Sequence, residues 1–147
     1  MRSYGKYYAL ANSLELLNKS FSGKKLKILS PFDNLFIQRK RMHSLFDFDY
    51  KIECYIPQSK REYGYFVLPI LWDNKLVARM DCKVDRKSSI LHIYNLYLET
   101  TLKEIEAFTA ALLKELKCFL AFNNCSSIEL HKTNPEYIKQ VLHAILR

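Results

Sequence analysis

Arginine and lysine set beside tyrosine give this chain its clearest chemical signature. Arg39, Lys40 and Arg41 are consecutive, Lys60 and Arg61 precede Tyr63 and Tyr65, and Arg79 and Lys83 flank Asp81. A guanidinium is a planar fork of donors that matches phosphate oxygens, and an aromatic ring offers a face on which a nucleobase stacks. Tyrosines two apart on a strand share a face, so Tyr63 and Tyr65 could stack while Lys60 and Arg61 neutralise phosphates. The same residues also fit a solvated helix face and core aromatics. Arg79 and Asp81, two apart on one strand, fit an internal ion pair, which leaves Arg79 and Lys83 as secondary contacts.

Candidates for bond-breaking chemistry are sparse. His43, His92, His131 and His143 fall on different elements without a metalloprotease spacing or a serine elbow, so structural histidines are expected. Glu53 is expected on the exposed face of a strand, where it could act as a general acid or base. With three glycines in the whole chain there is no glycine-rich phosphate loop, and no cofactor is expected. Cys54, Cys82, Cys118 and Cys125 form no C-x-x-C pair, which argues against a zinc site and for free thiols in a reducing cytosol.

The net charge of +8 is unevenly placed. Residues 24–87 hold 14 basic and 8 acidic side chains, an excess of six positive charges, against two in the remainder. A polyanion is the matching partner, and a basic solvated surface with no specific ligand is the common alternative. At 49% hydrophobic residues the 147-residue chain is expected to fold as one domain, 1–147, without staples. The absence of a signal-peptide pattern and of a long apolar run predicts a cytoplasmic protein with no membrane segment.

Positioning these residues falls to an α+β scaffold. Tyr7 to Leu17 reads as a short helix, Leu26 to Ser30 as a half-buried strand, and Asn34 to Phe46 as an amphipathic helix with Asp33 as N-cap. Period-two patterning predicts strands over Tyr50–Ile56, Tyr63–Trp72, Lys75–Lys83 and Ile90–Leu98, with Asp73-Asn74 as a hairpin turn. These make a four-stranded antiparallel meander, a curved sheet or partial barrel, packed by helices at both ends. A long helix opens at Thr100 and stops at Asn123-Asn124. Ser127 to His131 is a short strand, and Glu136 to Leu146 a last helix with Pro135 in its first turn and Asn134 as its cap.

A series of landmarks in fixed order carries a family resemblance: Ser30-Pro31-Phe32-Asp33, Gln38-Arg39-Lys40-Arg41, Leu45-Phe46-Asp47-Phe48-Asp49-Tyr50, Lys60-Arg61-Glu62-Tyr63-Gly64-Tyr65, Leu68-Pro69-Ile70-Leu71 and Arg79-Met80-Asp81-Cys82-Lys83. Over roughly residues 25 to 99 the chain resembles the C-terminal region of the YcaQ-like winged-helix DNA glycosylases, which unhook interstrand crosslinks. The resemblance implies DNA-backbone contacts in DNA repair, made through Arg39, Lys40, Arg41, Lys60, Arg61, Tyr63, Tyr65, Arg79 and Lys83. It also implies a winged-helix catalytic half as partner, in cis or in trans.

Catalytic residues do not transfer with it. The family's glycosylases use a Gln-x-Gln or Gln-x-Asp motif to position the attacking water. Here Gln38, Gln58 and Gln140 are followed two residues on by Lys40, Lys60 and Leu142. A binding and scaffold role is therefore expected. The rival readings are an interaction module for an acidic partner and a small hydrolase using Glu53 or a histidine.

Overall fold

Asp73 and Asn74 take positive φ angles of 50° and 60°, the pair of left-handed residues that a two-residue hairpin turn requires. They join β2 (Val67–Trp72) to β3 (Lys75–Asp85), and a turn at 86–89 leads into β4 (Ile90–Leu98). The computed structural model describes residues 6, 8–19 and 25–145. Strands β2 and β3 are buried almost without interruption from Val67 to Ile70 and from Leu76 to Asp81. Such runs mark strands covered on both faces, whereas β4 alternates in its first half.

β1 (Lys27–Ile28), β2, β3 and β4 pair antiparallel in sequence order, which is the expected meander with its first strand supplied from farther upstream. β5 (Ser127–Leu130) and β6 (Thr133–Asn134) then pair with β4 in parallel. The result is a curled, mixed, six-stranded half-barrel with helices, an α+β fold. Register shifts between Ile70 and Leu71 and between Asp81 and Cys82 accompany the curvature, as bulges increase local twist.

One sheet face carries Ile70, Trp72, Ala78, Met80, Leu96 and Leu98 against α3 (Ile105–Phe122) and α4 (Tyr137–Ile145). Phe108, Leu112 and Leu116 recur at helical spacing on α3 and are buried there, with the Phe108 ring edge-on to Trp72 at 5.9 Å. Ile138 and Leu142 do the same on α4. The opposite face is covered by α1 (Asn34–Ile37), α2 (Arg39–Phe46) and the irregular chain that follows. Phe36, Met42, Phe48 and Tyr50 close a second core over Leu71 and Leu76.

Several elements differ from expectation. The upstream helix is a 3-10 segment, Ala11–Asn18, and Tyr7 lies outside the described residues. The helix over 34–46 breaks at Gln38, whose carbonyl accepts from the backbone N–H of Arg41 and Met42 and so starts α2 afresh. Asp33 does cap α1, accepting from Leu35 N at 2.8 Å. No strand forms over Tyr50–Ile56. Glu53–Tyr55 is a single 3-10 turn because the Glu53 carboxylate is drawn inward to bind backbone donors. α3 opens at Ile105 rather than Thr100, and α4 begins after Pro135, with Asn134 spent in β6. Leu146 is outside the described residues. All four cysteines are free. Among the described residues no helix is long and apolar enough to cross a membrane.

Candidate nucleic-acid interface

The irregular chain between Asp47 and Phe66 is fixed by three buried charged side chains, Glu53 from within it and Asp81 and Arg79 from β3. Glu53 is 5% exposed and accepts from the backbone N–H of Tyr63 and Gly64, each at 2.9 Å, and of Glu62 at 3.2 Å. A carboxylate satisfied by consecutive amide donors fixes a loop much as an anion fixes a nest of N–H groups. Asp81 reaches up from β3 to accept from Phe66 N at 2.9 Å. Gly64 packs so closely on Asp81 that a Cβ there would stand 2.2 Å from its Cγ, and its φ of 154° also favours glycine.

Arg79 is the third clamp. Its guanidinium lies between the rings of Phe48 (4.0 Å) and Tyr63 (4.3 Å), its Nε donates to Glu99 Oε1 at 2.5 Å, and one Nη donates to the Asp49 carbonyl at 2.8 Å. A stacked, paired and buried guanidinium of this kind is a rigid strut. Tyr63 fills the same cluster. Its ring meets Tyr97 edge-on at 4.9 Å, and its carbonyl accepts from Asn95. Burial first, and then the hydrogen bond with Glu62, pushes its phenol up to about 12. Tyr50 anchors the other end of the loop, donating to the Val67 carbonyl at 2.6 Å, and burial raises its phenol as well.

The nine expected contact residues therefore divide. Arg39 and Lys40 are exposed on α2, Lys60 is exposed on the loop, and Lys83 is exposed on β3. Tyr65 is 57% exposed with the Arg61 guanidinium 4.9 Å over its ring. Arg61 spends its Nε on the carbonyls of Ile56 and Glu53. Among the described residues its terminal nitrogens donate to no protein group. Arg41 is half-buried and donates to the Asn34 carbonyl, joining α2 to α1.

Three expectations are corrected here. Arg79 is 6% exposed and pairs with Glu99, not Asp81, so it supports the loop from beneath. Tyr63 and Tyr65 do not share a face, because the strand starts only at Val67 and Gly64 turns the chain between them. Glu53 is not on a wet strand face. Both of its oxygens accept from backbone N–H groups, which accounts for its burial structurally.

The histidines also differ from expectation. His92 stands opposite Glu129 in the β4–β5 register, and His131 follows two residues on, so these two histidines meet. His92 Nδ1 is 3.1 Å from His131 Nε2 and 3.2 Å from Glu129 Oε2. Sequence spacing could not reveal this, because the contact depends on a parallel pairing that the long helix α3 intervenes to make. His43 pairs with exposed Asp49, and the side chain of His143 lies outside the described set.

No solved structure gives a significant match to the chain. A family profile described as DNA glycosylase AlkZ-like matches residues 3–122, which takes in the whole clamped loop, the basic helix α2 and the central hairpin. The chain belongs to the AlkZ-like DNA glycosylase family.

Proposed function

We propose that this chain handles DNA within crosslink repair, gripping the duplex backbone and acting as scaffold, while the cleavage of the N-glycosidic bond falls to a winged-helix catalytic half in cis or in trans. One observation carries the reading. The exposed cations Arg39, Lys40 and Lys60, the partly engaged Arg61 and the outward ring of Tyr65 all ride on the single segment 39–65 that covers one sheet face. Arg79 and Asp81 hold that segment from below and Glu53 braces it from within, so the cations are presented on a firm base. Arginine and lysine so placed bind phosphate oxygens without reading sequence. No Gln-x-Gln or Gln-x-Asp motif is present to position a water.

Fluorescence anisotropy with a labelled duplex at low salt tests this. Weak binding with little sequence preference is expected, weakened about tenfold or more by Arg39→Ala with Lys40→Ala and separately by Lys60→Ala with Arg61→Ala. The purified chain is expected to release no alkylated base. Duplex binding unaffected by both double variants would move the acidic-partner reading to the front, and time-dependent abasic-site formation would revive catalysis.

A further inference from the structure

We propose that His92, Glu129 and His131 form a site for a divalent metal of the zinc class. One ligating atom from each lies within 4.8 Å of the other two. The two separations measured from His92 Nδ1, 3.1 Å and 3.2 Å, match the edge of a tetrahedron. Zinc bonds of 2.0–2.1 Å to nitrogen or oxygen place neighbouring ligand atoms about 3.3 Å apart. His92 is thus already at ligand spacing from both of its partners.

Hydrogen bonding alone serves this cluster poorly. If His92 Nδ1 carries the proton it can align with only one of Glu129 Oε2 and His131 Nε2, and if it accepts from His131 Nε2–H its lone pair still faces the carboxylate. A cation at the common centre would take one lone pair from each of the three groups. Two imidazoles and one carboxylate suit zinc, nickel or copper, whereas magnesium and calcium want oxygen shells.

The backbone fixes the spacing. Pairing of His92 with Glu129 in the ladder, and the bond from His131 N to the Ile93 carbonyl at 2.9 Å, set the three Cα positions. The Tyr94 ring stacks on His92 at 5.9 Å and on His131 at 5.1 Å, which limits rotation of both imidazoles. Glu129 and His131 are exposed, so the fourth position of a bound ion opens to solvent, as in sites that bind water or an exchangeable oxygen ligand. Lys83 stands directly across the ladder from His92.

Isothermal titration of tag-free, metal-stripped full-length protein with zinc chloride tests the site, alongside a cobalt(II) absorption spectrum that separates nitrogen and oxygen ligation from thiolate ligation. The expected result is one equivalent bound, weakened about tenfold or more by His92→Ala, by His131→Ala and by Glu129→Gln. In chelator the three variants should melt with wild type, which separates lost binding from lost fold. The cobalt spectrum should lack a thiolate charge-transfer band. No binding at about 0.1 mM zinc, binding that survives all three substitutions, or a thiolate band would each overturn the proposal.

Discussion

Arg79 shows how one residue's surroundings decide its role. In sequence it is one cation among several, but it rises from the middle of a strand covered on both faces. There its charge is paired with Glu99 and stacked between Phe48 and Tyr63. The loop above it is equally constrained. Gly64→Ala would drive a methyl into the Asp81 carboxylate at a φ that alanine avoids, so a loss of about 2 kcal/mol or more is expected in chemical denaturation. Tyr63 gives the cluster a pH signature. Its phenol ionises near its ordinary value of 10.0 when unfolded and at about 12 when folded. The fold favours the neutral ring, so this contribution is complete below pH 10 and is lost as pH rises from 10 to 12. The stability difference between wild type and Tyr63→Phe should shrink across that window, as read from thermal midpoints. A difference independent of pH would place Tyr63 outside the cluster.

At the scale of elements, the hairpin β2–β3 frames the whole sheet. Asn74→Gly should be neutral or stabilising by up to about 0.5 kcal/mol, because glycine accepts the positive φ of the turn. Ile70→Asp, at a fully buried position in the larger core, should lose about 4 kcal/mol or more, and an unchanged melting temperature would refute the assigned inward face. These strands were legible in sequence because local signals sufficed. Asp73-Asn74 marks the turn, and the bounds of β4 are as expected. Tyr50–Ile56 carried the same alternation and did not become a strand, since Glu53 turns inward to amide donors nine to eleven residues on and the chain there is a 3-10 turn. An inward carboxylate and an outward one look alike in sequence. β5 forms where a short strand was expected, but its parallel pairing and the added β6 were not legible, because that pairing depends on a crossover through α3 and not on any turn signal.

Across the molecule, charge and family agree with the architecture. Segment 39–65, which lies over one sheet face, carries six basic and four acidic side chains of the basic stretch 24–87. The exposure of Arg39, Lys40, Lys60 and Lys83 was legible in the sequence from their charge. The division between exposed contacts and buried struts was not, because it depends on which side of the sheet each residue meets. The measurement that tests the DNA-backbone reading most directly is the salt dependence of duplex binding. Each neutralised phosphate contributes about −0.9 to the log-log slope of affinity against salt, so wild type should show a steep slope. Arg39→Ala with Lys40→Ala, and separately Lys60→Ala with Arg61→Ala, should each flatten it by about 1 to 2 units with the fold intact. No association at low salt, or a slope that neither pair alters, would contradict the account.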